Sequence, residues 1–389
     1  MIALLLSATV AFGCGQTTHI WTAIHAVDHL PAGSLKDALT DPAGRRALIS
    51  GTMFPDGGYS PLVGHPYGET AHWEPFQDRY LTWVQDNQLG DVQHEAFLYG
   101  LAAHGMGDQL FDAMYLYRGD EGQPDEDTDI IMASLWGGHA PNEHFVPYDA
   151  LVPLFADAGI DVDADTLRSG MSSLDFAVYY VGAAAENDER VAQAREDYPW
   201  TTSHLEDQSI PGAPACIGKT LALYWLVLEQ RLLGASPPLV LTTFPEDQGY
   251  SHPTQGRDAM VSVVFSRAME EETVEAAGVA VLTGPEGIVP TDVWLYYRQG
   301  SHVLNVLPLD DLATGSTYEL TVNPGPTGIG GEQLDEPWSM SFSTGPPPEP
   351  EPEQDPEPNG CGCHAAPLPV SGGLLALFML VGTRRLAGP

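Results

Sequence analysis

Within "HEAFLYGLAAHGMGDQLFDAMYLYRGD", residues 94–120, His104, Asp108 and Asp112 recur every four residues among Phe97, Leu98, Leu101, Met106, Leu110, Phe111 and Met114. On a helix of about 3.6 residues per turn, each four-residue step rotates by about 40°, so the three polar side chains form one stripe on an otherwise apolar helix. Imidazole nitrogen and carboxylate oxygen are ligand atoms for divalent cations. A bound cation would also remove the repulsion between two carboxylates held together away from water. A solvated helix face would present the same stripe, so on its own it leaves both readings open.

More histidine and aspartate lies ahead of that helix. His19 stands in "THIWTAIHAVDHLP", Asp56 in the turn "FPDGGYS" and His72 in "ETAHWEPF". Each fragment is weak alone, but the order His–Asp–His–His-x-x-x-Asp resembles the zinc-dependent phospholipase C family. The likeness is strongest to the form of that domain found at the N-terminus of glycosylphosphatidylinositol-specific phospholipase D. It runs through the blocks "CGQTTHIWTAIHAVDHL", "SGTMFPDGGY", "ETAHWEPF" and "EAFLYGLAAHGMGDQ". The resemblance implies two or three Zn²⁺ ions held by His19, Asp56, His72, His104 and Asp108, with Asp108 bridging two of them. It also implies that Asp56 acts as a ligand or as the general base that takes a proton from water. Clustered ions acidify water and hold phosphoryl oxygens, which is the chemistry of phosphodiester hydrolysis. The family further uses its new N-terminal residue as a ligand, a role open to Cys14 if cleavage precedes it.

The chain departs from the family after Asp108. Asp112 stands where the related phospholipase D has a histidine, and "GDEGQPDEDTD" offers Glu121 and Asp125 where a pair beginning with histidine is expected. Oxygen ligands favour Ca²⁺, Mg²⁺ or Mn²⁺ over Zn²⁺, so this position either takes a harder cation or stands empty. The Asp-x-Asp-x-Asp run at 125–129 is not an EF-hand, since Ile130 and Trp136 replace the required Gly and Glu. His25, His29, His139, Glu143 and His144 read as supporting or surface residues. The metalloprotease H-E-x-x-H, the G-x-S-x-G elbow and the P-loop are all absent from the sequence.

The elements that must position these residues change character along the chain. Residues 14–236 alternate helical apolar patterns with Gly/Pro/Asp turns and read as one all-α domain, in which "CIGKTLALYWLVLEQRLLG" is apolar all round and therefore central. Short alternating runs follow at Met260–Phe265, Val293–Tyr297, Val303–Leu307, Tyr318–Val322 and Trp338–Phe342. These predict a small all-β sandwich over 238–345 and resemble bacterial Ig-like domains. No catalytic residue is expected there: His252 and His302 read as surface residues, and the segment as a contributor of location. The expected fold class is thus multidomain, an all-α phospholipase C-like domain followed by an Ig-like sandwich.

The ends and the charge bound the setting. "MIALLLSATVAFG", residues 1–13, reads as a signal peptide. Residues 346–360 form a Pro/Glu-rich linker, and 361–389 carry Cys-Gly-Cys, a short apolar run and Arg384-Arg385. That tail resembles the MYXO-CTERM type of sorting segment, which implies a secreted protein held at a bacterial cell surface or outer membrane. The four cysteines, Cys14, Cys216, Cys361 and Cys363, form neither a zinc knuckle nor a disulfide framework. With 53 acidic and 15 basic residues the net charge is −38, so no nucleic-acid partner is expected. The reading is a surface-anchored, metal-dependent phosphodiesterase of phospholipid or glycolipid substrates, associated with a membrane through its tail. The alternatives are an S1/P1-type zinc nuclease and a catalytically degenerate domain kept for binding or adhesion.

Overall fold

The computed structural model describes residues 15–345, apart from 61, 123, 138–142, 236–238, 252–254 and 298–299. The expected signal peptide, Cys14, His139, His252, the linker and the sorting tail lie outside the described residues. The helices of the first part are α1 (Gln16–His29), α2 (Ser34–Thr40), α3 (Pro42–Met53), α4 (Tyr67–His72), α5 (Glu74–Asn87), α6 (Val92–Leu110) and α7 (Tyr117–Gly119). They continue with α8 (Asp125–Trp136), α9 (Tyr148–Asp157), α10 (Ala164–Ala185), α11 (Asp188–Asp197), α12 (Pro199–Ser203) and α13 (Pro214–Leu232). Among the described residues, no helix is long and apolar enough to cross a membrane.

The helix ends follow local chemistry. The Asp91 carboxylate accepts the Gln93 and His94 N–H groups, both at 3.0 Å, and so starts α6. The stretch "SLDFAVYYVGAAAENDERVAQARE" spans two helices, because the Asn187 side chain accepts from Glu189 and Arg190 N–H and opens α11. As its sequence predicts, α13 is central: Ile217, Leu221, Tyr224, Trp225 and Leu228 are all buried. The crossing of α3 on α6 depends on glycine. A Cβ on Gly100 would sit 2.1 Å from the Leu48 carbonyl oxygen, and one on Gly51 would sit 2.2 Å from that of Phe97. Past Leu110 the helix widens into a π-turn over Phe111–Leu116, a form often found beside functional sites.

The second part forms two sheets. In one, β1 (Val240–Phe244), β3 (Val261–Met269), β7 (Ser301–Pro308) and β6 (Thr291–Leu295) run in the order β1-β3-β7-β6. The other has the order β2-β9-β8-β4-β5 and contains β2 (Gly249–Ser251), β4 (Ala280–Gly284), β5 (Gly287–Ile288), β8 (Thr317–Val322) and β9 (Trp338–Thr344). All pairings are antiparallel except β2 with β9. The sandwich has its own core of Val261, Val263, Phe265, Leu304, Val306, Leu320 and Phe342, while Val264 and Val303 project into the helical core.

Helical part and sandwich therefore belong to one compact unit. A buried ion network lies between them. The Glu74 carboxylate meets Arg231 at 3.0 Å and Arg267 Nε at 2.5 Å, and Asp78 also receives both guanidinium groups. His302 is a correction to the sequence reading: it is buried, 3 % exposed, with Nε2 3.6 Å from Glu74. β7 is covered on both faces, by the sandwich core on one side and by the helices on the other. A strand in that position shows no burial signal in its polar residues.

Candidate metal centre

Four separate segments bring the histidines and carboxylates together. His19 is on α1, Asp56 is in the 3-10 turn Phe54–Gly58, His72 ends α4, and His104 and Asp108 are on α6. The turn can approach α4 only because it ends in glycine: a Cβ on Gly58 would lie 2.3 Å from the Gly68 nitrogen.

The imidazoles are oriented from behind. His72 Nδ1 lies 2.6 Å from the Gly68 carbonyl, and His104 Nδ1 lies 2.6 Å from that of Thr52. A carbonyl only accepts, so each Nδ1 carries a hydrogen and each Nε2 points inward, where it can bind a cation whenever it is not itself protonated. Those two Nε2 atoms lie 2.9 Å apart. Asp108 presents one oxygen to His19 Nε2 at 3.0 Å and the other to His104 and His72 at 3.4 and 3.7 Å. Asp56 Oδ1 is 3.3 Å from His72 and 3.6 Å from His104. His19 stacks on His104 with ring centroids 3.8 Å apart, and neither of its buried nitrogens has a hydrogen bond of good geometry.

Burial lowers His72, but the bond and charge of Asp56, with Asp108 behind it, push it up to about 9. Burial, then His19, lowers His104. One proton on His72 thus bridges two nitrogens that would otherwise repel, and a divalent cation would do the same. Burial would also lift Asp56, yet His104 and His72 pull it well below the usual carboxylate range. Two sets of donor atoms, from His19, Asp56 and His104 and from His72, His104 and Asp108, each lie within 4.8 Å of one another. Inward-facing imidazole nitrogens set among the carboxylates of Asp56 and Asp108 fit Zn²⁺.

The carboxylate-rich side is assembled in part. Asp112 is buried beside Asp108. Burial and the Asp108 charge raise it to about 7, and its Oδ1 has no partner. Asp125 begins α8. Burial, then the charges of Asp112, Asp108, Asp129 and Asp56, raise it to about 8, and its Oδ1 is likewise unpartnered. Glu121 is not brought to this group. Its two oxygens accept the backbone N–H groups of Trp200 and Thr201 at 2.9 and 2.8 Å, so it anchors the start of α12. Of the pair, Asp125 feels the charges of Asp112 and Asp108, while Glu121 is turned to α12.

Several residues at the site carry no motif. Asp129 accepts Thr17 N–H at 2.9 Å and Thr18 N–H at 2.8 Å, which pins the N-terminal turn of α1 and hence His19. The Gln16 amide donates to Asp56 Oδ2. Glu69 accepts the Trp73 indole N–H at 2.8 Å and the Tyr59 hydroxyl, and the Tyr59 ring lies 5.0 Å from that of His72. Tyr297 donates its hydroxyl to Asp112 Oδ2. Of the remaining candidates, His25 and His29 contact each other at 3.3 Å, His144 meets Asp175 at 2.7 Å, and Glu143 is exposed near Arg46, all apart from the cluster.

No curated protein matches the sequence. Among solved structures, CopC from Methylosinus trichosporium OB3b aligns over 28% of this chain and 93% of its own, at 14% identity and a TM-score of 0.22. The surface-layer protein rSbsC(31-844) aligns over 81% of this chain at 11% identity and a TM-score of 0.23, and this chain spans 46% of it. Both likenesses are too loose to bear on fold or function. The family profile described as "Bacterial Ig-like domain" matches residues 234–344. That match and the two packed sheets make residues 234–344 a bacterial Ig-like domain.

Proposed function

We propose that the protein is a metal-dependent phosphodiesterase of the zinc-dependent phospholipase C kind, acting on a phospholipid or lipid-linked phosphodiester at the cell surface. The observation that carries this reading is the convergence of His19, Asp56, His72, His104 and Asp108, with two imidazoles held by backbone carbonyls so that Nε2 faces inward. These five residues would hold two Zn²⁺ ions, and Asp112 with Asp125 would hold a third, harder cation such as Ca²⁺ or Mn²⁺.

Bound cations there would lower the pKa of water and neutralise phosphoryl oxygens. The side chains supply the rest. Asp56 is the most exposed member of the cluster, with 15% of its side chain accessible against 0% for His104, so substrate and water enter beside it. Gln16 holds Asp56 Oδ2, which fixes Oδ1 toward His72 and His104 as a ligand atom. Asp108, with an oxygen toward each side, fixes the spacing of the two donor sets. Tyr59 and Trp73, both tied to Glu69, line the rim with aromatic surface suited to a lipid or glycan rather than to bare phosphate.

Elemental analysis of the purified protein, run beside hydrolysis of phospholipid vesicles, bis(p-nitrophenyl) phosphate and single-stranded DNA, tests the reading. At least two zinc ions per chain and lipid turnover are expected. Less than one tightly held transition metal per chain would refute it. Turnover of DNA alone would move the protein to the S1/P1 nucleases, and metal without any turnover to a binding role.

A further inference from the structure

The Ig-like domain is docked on the helix that carries the ligands, residue by residue. Gln109, directly after Asp108, accepts the His302 N–H at 2.7 Å and the Ser301 hydroxyl at 3.3 Å. The Asn305 amide donates to the carbonyl of Ala113, directly after Asp112, at 3.0 Å. β7 thus runs along α6 and its π-turn in fixed register, with the Glu74–Arg267–Arg231 network reinforcing the His302 end. Just past β6, the same domain delivers Tyr297. Its hydroxyl donates to Asp112 Oδ2, and its ring meets the ring of Trp73 edge-on, with centroids 5.2 Å apart and planes at 66°. Trp73 follows the ligand His72 in sequence. Asp112 is 3% exposed, and its other oxygen, Oδ1, is buried without a partner.

We infer that the Ig-like domain forms a wall of the metal centre, with Tyr297 as a positioning residue that holds Asp112 Oδ2 so that the buried Oδ1 is presented to a divalent cation. The inference rests on the metal-centre reading above. A module from outside the helical domain thereby completes the carboxylate-rich subsite. A carboxylate with one oxygen hydrogen-bonded keeps a single orientation, and loss of such an outer partner costs about 10- to 100-fold in metal affinity.

The experiment uses the full chain stripped with chelator and titrated with Mn²⁺, with free Mn²⁺ followed by its paramagnetic resonance signal. Tyr297→Phe keeps the ring and its contact with Trp73 and removes only the donor. In this variant the weakest-bound Mn²⁺ is expected to loosen about 10- to 100-fold while the tighter ions bind as before. Asp112→Asn alone and combined with Tyr297→Phe completes the cycle. Because Tyr297 acts through Asp112, the double variant should bind no more weakly than Asp112→Asn. Wild-type Mn²⁺ affinities in Tyr297→Phe, or additive losses in the double variant, would overturn the inference and leave the metal-centre reading standing. A wild-type protein that takes up neither Mn²⁺ nor Zn²⁺ would overturn both.

Discussion

Stripping the protein of divalent cations should make it lose stability as pH rises from 6 to 8, opposite to the usual behaviour of a protein with paired carboxylates. Asp112 and Asp125 are raised from the ordinary 3.8 to about 7 and about 8. A group raised on folding contributes stability that is fully present below its unfolded pKa and is lost as pH climbs through the folded one. The window for these two therefore runs from 3.8 up to about 7 and about 8. Each such group costs about 1.4 kcal/mol per pH unit while it is in its window. Between pH 6 and 8 the pair has a ceiling of about 4 kcal/mol, and partial solvation of Asp125 reduces this to roughly 2–4 kcal/mol. For a folded unit of this size that is a fall in Tm of roughly 3–6 °C. His72, raised to about 9, acts in the same direction from 6.5 upward. With Mn²⁺ or Ca²⁺ present the slope should flatten or reverse, because the cation binds the ionised carboxylates. Calorimetry at pH 6, 7 and 8, with chelator and with cation, makes the comparison, and Asp112→Asn should remove part of the slope. A metal-free Tm that is level or rises from pH 6 to 8 would refute the argument.

Asp108 faces His19 with one oxygen and His72 and His104 with the other, so Asp108→Ala should release more zinc than His72→Ala, as measured by elemental analysis after dialysis. Glu121→Gln should leave metal content unchanged and cost about 0.5–2 kcal/mol in denaturant unfolding, since Glu121 holds the start of α12. Arg267→Met should destabilise the whole unit by about 3–5 kcal/mol, because it removes one of the two guanidinium partners of buried Glu74, and a single cooperative transition by calorimetry would show the two parts unfolding together.

The parts of the site that were legible in the sequence are those whose residues share a local pattern. His104 and Asp108 sit one turn apart on an apolar helix, and the fragments bearing His19, Asp56 and His72 are each marked by a turn or an aromatic neighbour. The chain brings all five together. The boundary between helical and strand texture was legible for the same reason, since the periods 3.6 and 2 differ. Glu121 shows the limit of spacing. Its distance from Asp125 matched a ligand pair, but it lies ahead of α8 and its oxygens face the N–H groups of α12 instead. Asp129 and Gln16 act across long sequence separations, on Thr17 and Asp56 respectively, and no local pattern announces either. Tyr297 is further out of reach. It reads as the last residue of a strand, whereas β6 ends at Leu295 and the turn beyond it carries the hydroxyl to a different domain.

The π-turn at Phe111–Leu116 has a consequence for how this chain can vary in length. An extra residue in a helical turn rotates everything beyond it by about 100° relative to a continuous α-helix. Upstream, the angular setting is dictated by His104 and Asp108; downstream, it is dictated by Arg118 reaching the Met260 carbonyl at 3.2 Å. The widened turn is the splice that reconciles two helical phases in one rod. Substitutions on its outer face leave that phase difference intact. Removing a single residue would snap the rod back to regular pitch, and either the ligands or the domain contacts would swing out of reach.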